Sequence, residues 1–178
     1  MERIEYPRVN RLYTFDNYGG EFRFVGKIGR TLEVWVDDEG LAYKNFKVVM
    51  PRDRGPAKVA CEIELSMSRG SKGASWSVDL TKVDSKFQGF GIAVKAYAFI
   101  IKKMGIVLQA GSMQSPGGRS IWAQLAKENS VMVYGMKGRN GDLQVMVPNE
   151  DGTEVECEDE NVQAYDVNGF NMFAVKVA

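Results

Sequence analysis

The stretch from Gly91 to Met104 constrains the fold more than any other part of the chain. Ile92, Val94, Ala96, Tyr97, Ala98, Phe99, Ile100 and Ile101 leave it apolar around most of a helical circumference. A helix of that kind has no face to give to water and must be buried, for example against a sheet. Lys102 and Lys103 fall in its last turn, and Gly105 follows where a C-cap belongs. A second helix is predicted over Pro116 to Lys127, with proline near its start and Ile121, Trp122 and Leu125 on its apolar face.

Most of the remaining chain reads as strands. Glu21 to Ile28, Thr31 to Val36 and Leu41 to Met50 carry apolar residues among charges, and Val59, Cys61, Ile63 and Leu65 alternate cleanly. Asp37-Asp38-Glu39-Gly40 is a tight turn, Arg52 to Pro56 a loop, and Ser66 to Ala74, rich in Ser and Gly, a further loop. Trp76 to Val83, Ile106 to Ala110, Val131 to Tyr134, Leu143 to Val147 and Phe170 to Val177 complete the strands. The order predicts one α+β (mixed α/β) domain over residues 1–178, with a central, mostly antiparallel sheet and helices at about 91–104 and 116–127. Its β-rich part, 1–75, would meet an acceptor or partner, and 76–178 would carry the chemistry.

Composition narrows the chemistry. The 23 basic and 23 acidic residues give a net charge of zero, so bulk charge does not argue for nucleic acid. With no histidine and only Cys61 and Cys157, both zinc binding and His-assisted nucleophilic catalysis fall away. The two cysteines are expected as buried thiols rather than a disulfide. No stretch approaches the roughly 20 apolar residues of a membrane span. Met1 to Glu5 shows no apolar signal region, so the expected location is cytoplasmic.

Gln88-Gly89-Phe90-Gly91-Ile92-Ala93 stands between a predicted strand and the start of the buried helix. A helix start offers unpaired N–H groups and the positive end of a dipole, and glycines let a ligand approach the backbone. The pairing suits a pyrophosphate, although a plain turn accounts for two glycines equally simply. In its context the segment resembles the Gln/Arg-x-x-Gly-x-Gly/Ala loop of the GNAT superfamily of N-acetyltransferases, with Gln88, Gly91 and Ala93 in the matching places. The resemblance runs over about 60 residues, from Trp76–Val83 through Ile106–Gly111 to Val131–Tyr134. It implies a GNAT-like domain that binds acetyl-CoA at Gln88 to Ala93. The sequence also departs from the family. Where the family has Asn-x-x-Ala-x-x-x-Tyr, this chain has Ser115, Gly118 and Trp122, and an indole has no proton to give near neutral pH. The two amphipathic helices usual in the family's first half are replaced by strand-like sequence.

Amide formation needs a neutral amine and therefore a base or a water chain. Asp79 and Asp84 are the carboxylates on or beside the relevant strand, each equally readable as a solvated or turn residue. Tyr134 is the substitute proton donor. Ser115 reads as an N-cap or a ligand contact, and Ser112 is its neighbour. Arg119, Lys137 and Arg139 are phosphate-binding or merely solvated, Trp122 is core or ligand platform, and the acidic run Asp151 to Glu160 is a solvated loop.

Three readings stay open. The first is an N-acetyltransferase that moves an acetyl group directly from acetyl-CoA to an amine on a protein or small molecule. The second is a catalytically inactive relative, resembling small acetyltransferase-like proteins of bacteriophages, that binds or blocks a host protein or sits in a virion. The third is a β-rich nucleic-acid-binding module using Tyr6, Tyr13, Phe15 and Tyr18 with Arg8, Arg11, Arg52 and Arg54.

Overall fold

A computed structural model describes residues 22–38, 42–52, 58–70, 73–111, 114–137, 141–159 and 170–177. Within them lie strands β1 (Phe22–Ile28), β2 (Leu32–Asp37), β3 (Tyr43–Met50), β4 (Lys58–Gly70) and β5 (Gly73–Val83). A short 3-10 turn (Ser85–Phe87) leads to helix α1 (Ile92–Met104), then β6 (Leu108–Gln109) and helix α2 (Pro116–Leu125). Strands β7 (Val131–Lys137), β8 (Leu143–Pro148), β9 (Val155–Cys157) and β10 (Phe170–Lys176) follow. They form one ten-stranded sheet in the order β1-β2-β3-β4-β5-β6-β10-β7-β8-β9.

The α+β GNAT-like fold implied by the resemblance is corrected by this architecture. The described residues build a mostly antiparallel sheet with only two helices, and the several helices of such a fold are not shown. The reason is local. From Phe22 to Leu65 the chain repeats its apolar residues at the period of a strand, which gives a helix no continuous stripe to bury. These residues therefore pair with one another as an antiparallel meander from β1 to β5. Two boundaries also move. The expected loop from Ser66 to Ala74 is largely strand, because Ser66 to Gly70 pairs with Gly73 to Ser77. The acidic run contains β9, whose Val155 is buried and pairs with Pro148.

Helix α1 lies against the sheet as its composition demands. Ile92, Ala93, Val94, Ala96, Tyr97, Ala98, Ile100 and Ile101 are all buried, and Lys95 is exposed. They belong to one cluster with Val34, Val36, Phe46, Val48, Cys61, Ile63 and Leu65 of the meander. Burying each aliphatic side chain of this kind contributes about 1.5–3 kcal/mol. A close approach at β1 fixes the fit: a Cβ on Gly26 would sit 2.9 Å from the Phe99 ring. At its far end α1 stops at left-handed Gly105, whose N–H donates to the Ile101 carbonyl, 3.1 Å. Cys61 is buried and Cys157 half-buried, and neither is in a disulfide. Among the described residues no helix is long and apolar enough to cross a membrane.

Candidate functional site

Among the described residues, strands β5 and β6 are the one parallel pair of neighbours, joined by the crossover through α1 that parallel strands require. Their ladder is short. Trp76 pairs with Leu108 and Ser77 with Gln109, after which the two strands have no further register in common. At the parting point Gly111 lies so close to β5 that a Cβ would meet the Val78 carbonyl oxygen at 2.3 Å. Beyond Ser77 β5 continues to Val83, while the strand across from it stays with β10, which pairs with Leu108 and Gln109 and accepts from Ala110 N–H at the Met172 carbonyl, 2.8 Å. A wedge opens between them. Its β5 wall is further disturbed by a bulge: Glu64 pairs with Leu80 and Leu65 with Val78, leaving Asp79 without a register partner.

The wedge forms a cleft of about 720 Å³. Val78 to Thr81 line one wall, Ala110, Gly111 and Gln114 another, and the first turns of both helices close it. The two helix starts differ. α2 is capped by Ser115, whose Oγ accepts from the Gly118 N–H at 3.1 Å, with Pro116 in the first turn. α1 begins at Gly91, in the left-handed region at φ 66°, with no side-chain cap. Its first N–H groups are left for another acceptor. Gly89 is also left-handed, and a Cβ at either glycine would meet nothing within 4 Å, so the space before the helix is open. The turn itself is held firmly. Gln88 Nε2 donates to the Val83 carbonyl, 3.2 Å, and Lys95 Nζ donates to the Phe90 carbonyl, 3.1 Å. Asp84 caps the preceding 3-10 turn by accepting from Lys86 N–H at 2.9 Å, and this bond holds its carboxyl below the ordinary range.

The inner end of the cleft is aromatic. Tyr97 and Trp122, both buried, meet edge to face at 6.2 Å between ring centres. The Tyr97 hydroxyl and the Thr81 hydroxyl share a 2.5 Å hydrogen bond that ties α1 to β5. Burial pushes the Tyr97 phenol well above its ordinary value of 10, with the Thr81 bond opposing. The phenol therefore keeps its proton at neutral pH. Burial also pushes the Cys61 thiol up to about 12, with the Glu62 charge adding to it, so this cysteine is inert as a nucleophile.

The structure thus brings Asp79, Gln88, Gly89, Gly91, Ile92, Ala93, Ser115 and Trp122 to one cleft. It does not bring the rest. Tyr134 lies on β7, paired with Phe173 and Val145 and separated from β6 by β10. Phe90 points outward, 66% exposed. Arg119 turns to Glu154, its Nε 3.3 Å from Oε1 in an ion pair that lacks hydrogen-bond alignment. Ser112, Arg139, Glu39, Gly40, Arg54, Glu160, and the early residues Tyr6, Arg8, Arg11, Tyr13, Phe15 and Tyr18 lie outside the described residues. Sequence reasoning missed Tyr97, Thr81 and Gln114. Tyr97 was absorbed into the apolar count of the helix, although a phenol inside an otherwise aliphatic run was itself a signal. Gln114 carries a shielded Oε1 without a partner at the cleft wall. Among the described residues no group of carboxylates or thiols is placed to hold a metal ion. No family model matches the chain, and no curated protein or solved structure matches it either.

Proposed function

We propose that the chain is an acyl-CoA-dependent N-acetyltransferase, acting in the cytoplasm on an amine acceptor, with the wedge between β5 and β6 as its active site. One observation carries the reading: a cleft runs from the parted strands to an uncapped, glycine-led helix start. The resemblance of Gln88 to Ala93 to the pyrophosphate loop of the GNAT superfamily supports it. The fit is physical as well. The open space before Gly89 and Gly91 admits phosphate oxygens, the free N–H groups of α1 meet them, and exposed Lys95 adds positive charge.

The residues divide the work. Past Ser77, β5 has no ladder partner on its cleft side among the described residues, so its backbone can donate to the oxygen of a carbonyl undergoing attack. Asp79, exposed at the bulge and accepting from Ser66 Oγ at 3.0 Å, stands beside that backbone as the base that takes the proton from an incoming ammonium. Tyr97 and Trp122 exclude water from the inner end. When bound, acetyl-CoA supplies the acetyl group: the amine nitrogen bonds the carbonyl carbon, the C–S bond breaks, and the thiolate takes up a proton. Tyr97, with its raised pKa, is too weak an acid to supply that proton; the second proton that the amine nitrogen sheds on becoming an amide supplies it.

The test is release of free CoA thiol from acetyl-CoA in the presence of amine acceptors. Wild type should release it, and Asp79→Asn should lower kcat by about 10²–10⁴-fold with the fold intact. A second reading, a non-catalytic binder of acyl-CoA, is favoured by the position of Tyr134 outside the cleft and by Trp122, which has no titratable proton. Donor binding without thiol release from any acceptor would select it.

A further inference from the structure

We infer that Ser66 is a positioning residue, whose hydroxyl holds the Asp79 carboxylate in the orientation that acyl transfer needs. Its part in that reaction rests on the function proposed above. Asp79, which lines the cleft, lies where the β4–β5 ladder slips. From the pair Gly70 and Gly73 to the pair Leu65 and Val78 the two strands keep one register, and that register continued by one residue would set Glu64 against Asp79. Instead Glu64 pairs with Leu80. The slip leaves Asp79 out of the ladder, and its Oδ1 accepts from Ser66 Oγ at 3.0 Å.

The exchange has a physical reason. Like charges directly opposite each other on neighbouring antiparallel strands stand about 5 Å apart at Cβ and repel. In the unslipped register Glu64 would be such a neighbour of Asp79. Ser66 is two residues from Glu64 on β4, so the two share a face of the strand. The bulge takes Asp79 from opposite the carboxylate to the hydroxyl. Re-aiming one side chain in this way is what a bulge does that a regular ladder does not.

A base needs such a hold. Asp79 is exposed, and an exposed carboxylate with no tie is free to change rotamer. Proton removal requires it within about 2.6–3.2 Å of the incoming nitrogen. Ser66 is half-buried and fixed from both sides, paired with Tyr43 on β3 and with Ser77 on β5. Its hydroxyl therefore comes from the interior of the meander rather than from a free edge. It engages Oδ1 and leaves Oδ2 to take the proton. Ser68, the next residue on the same face of β4, makes the contrast. Its partner across the ladder is Ser75, whose hydroxyl donates to Gln109 Oε1 at 2.8 Å.

The test is thiol release from acetyl-CoA by the full chain carrying Ser66→Thr or Ser66→Val. Both side chains favour strands and have nearly one shape, and only threonine keeps the hydroxyl. Ser66→Thr should hold kcat within about twofold of wild type, and Ser66→Val should lower it about tenfold with KM for acetyl-CoA unchanged. In an Asp79→Asn background the same two variants should differ by less than about twofold, because the group that Ser66 holds is gone. Ser68→Ala should leave kcat unchanged. Equal kcat in Ser66→Thr and Ser66→Val would overturn the inference and leave acyl transfer standing. So would an undiminished gap between them in the Asp79→Asn background, which would mark a role in the strand rather than through the carboxylate. The absence of thiol release from wild type with every amine would remove acyl transfer, and the role of Ser66 with it.

Discussion

At the scale of single residues, the surface of the meander is tied by a few charged pairs that are sensitive to acid. Asp38 receives Arg23 Nη2 at 2.7 Å and also pairs with Lys44. Partial burial pushes its carboxyl up, but the hydrogen bonds and charges of Arg23 and Lys44 outweigh that and leave it below its ordinary 3.8. A depressed carboxylate contributes stability that is present above the unfolded value and lost as pH falls through the folded one. Asp38→Asn should therefore lower stability at neutral pH by up to about 1 kcal/mol, the scale of an exposed pair. It should also flatten the loss of stability below about pH 4. Denaturant melts across the acid range check both. An unchanged acid limb would mean that Asp38 titrates alike in the folded and unfolded chain.

At the scale of elements, the wedge depends on how closely β5 and the end of β6 approach. Gly111→Ala would drive a methyl into the Val78 carbonyl, and the obstacle is backbone, which cannot swing aside. The expected cost is about 1–3 kcal/mol of stability by thermal melting, with a changed cleft. A variant as stable as wild type would show that the strands part with room to spare. The elements also show what could be read beforehand. Helix α1 was legible because its apolar residues leave no wet face, and α2 because Pro116 follows a capping serine. The continuation of β4 through Ser66, Ser68 and Arg69 was not, because those residues have loop-like composition and are held as strand by their partners Ser77, Ser75 and Ala74. β9 was hidden in the same way, as a short apolar pair, Val155 and Cys157, inside an acidic run.

At the scale of the whole molecule, one ten-stranded sheet and one core cluster hold the two helix starts over the cleft beside β5. The glycine turn and its helix were visible in the sequence, because Gly89 and Gly91 next to an apolar run mark a helix start. The placing of Asp79 at the cleft was not. It depends on a one-residue slip of register between Val78 and Leu80, which only strand pairing decides. Tyr134 was chosen from its neighbourhood in sequence, and the insertion of β10 between β6 and β7 carries it away from the cleft. The central claim is that the start of α1 holds the phosphates of an acyl-CoA, and thermal melting with and without acetyl-CoA tests it most directly. At about 100 times its Kd the donor should raise Tm by roughly 5–10 °C in wild type. Gly91→Ala should keep most of that rise after a small loss of stability from left-handed strain, whereas Gly91→Glu, with a carboxylate set against the phosphates, should abolish it. No rise in wild type, or an equal rise in folded Gly91→Glu, would contradict the assignment.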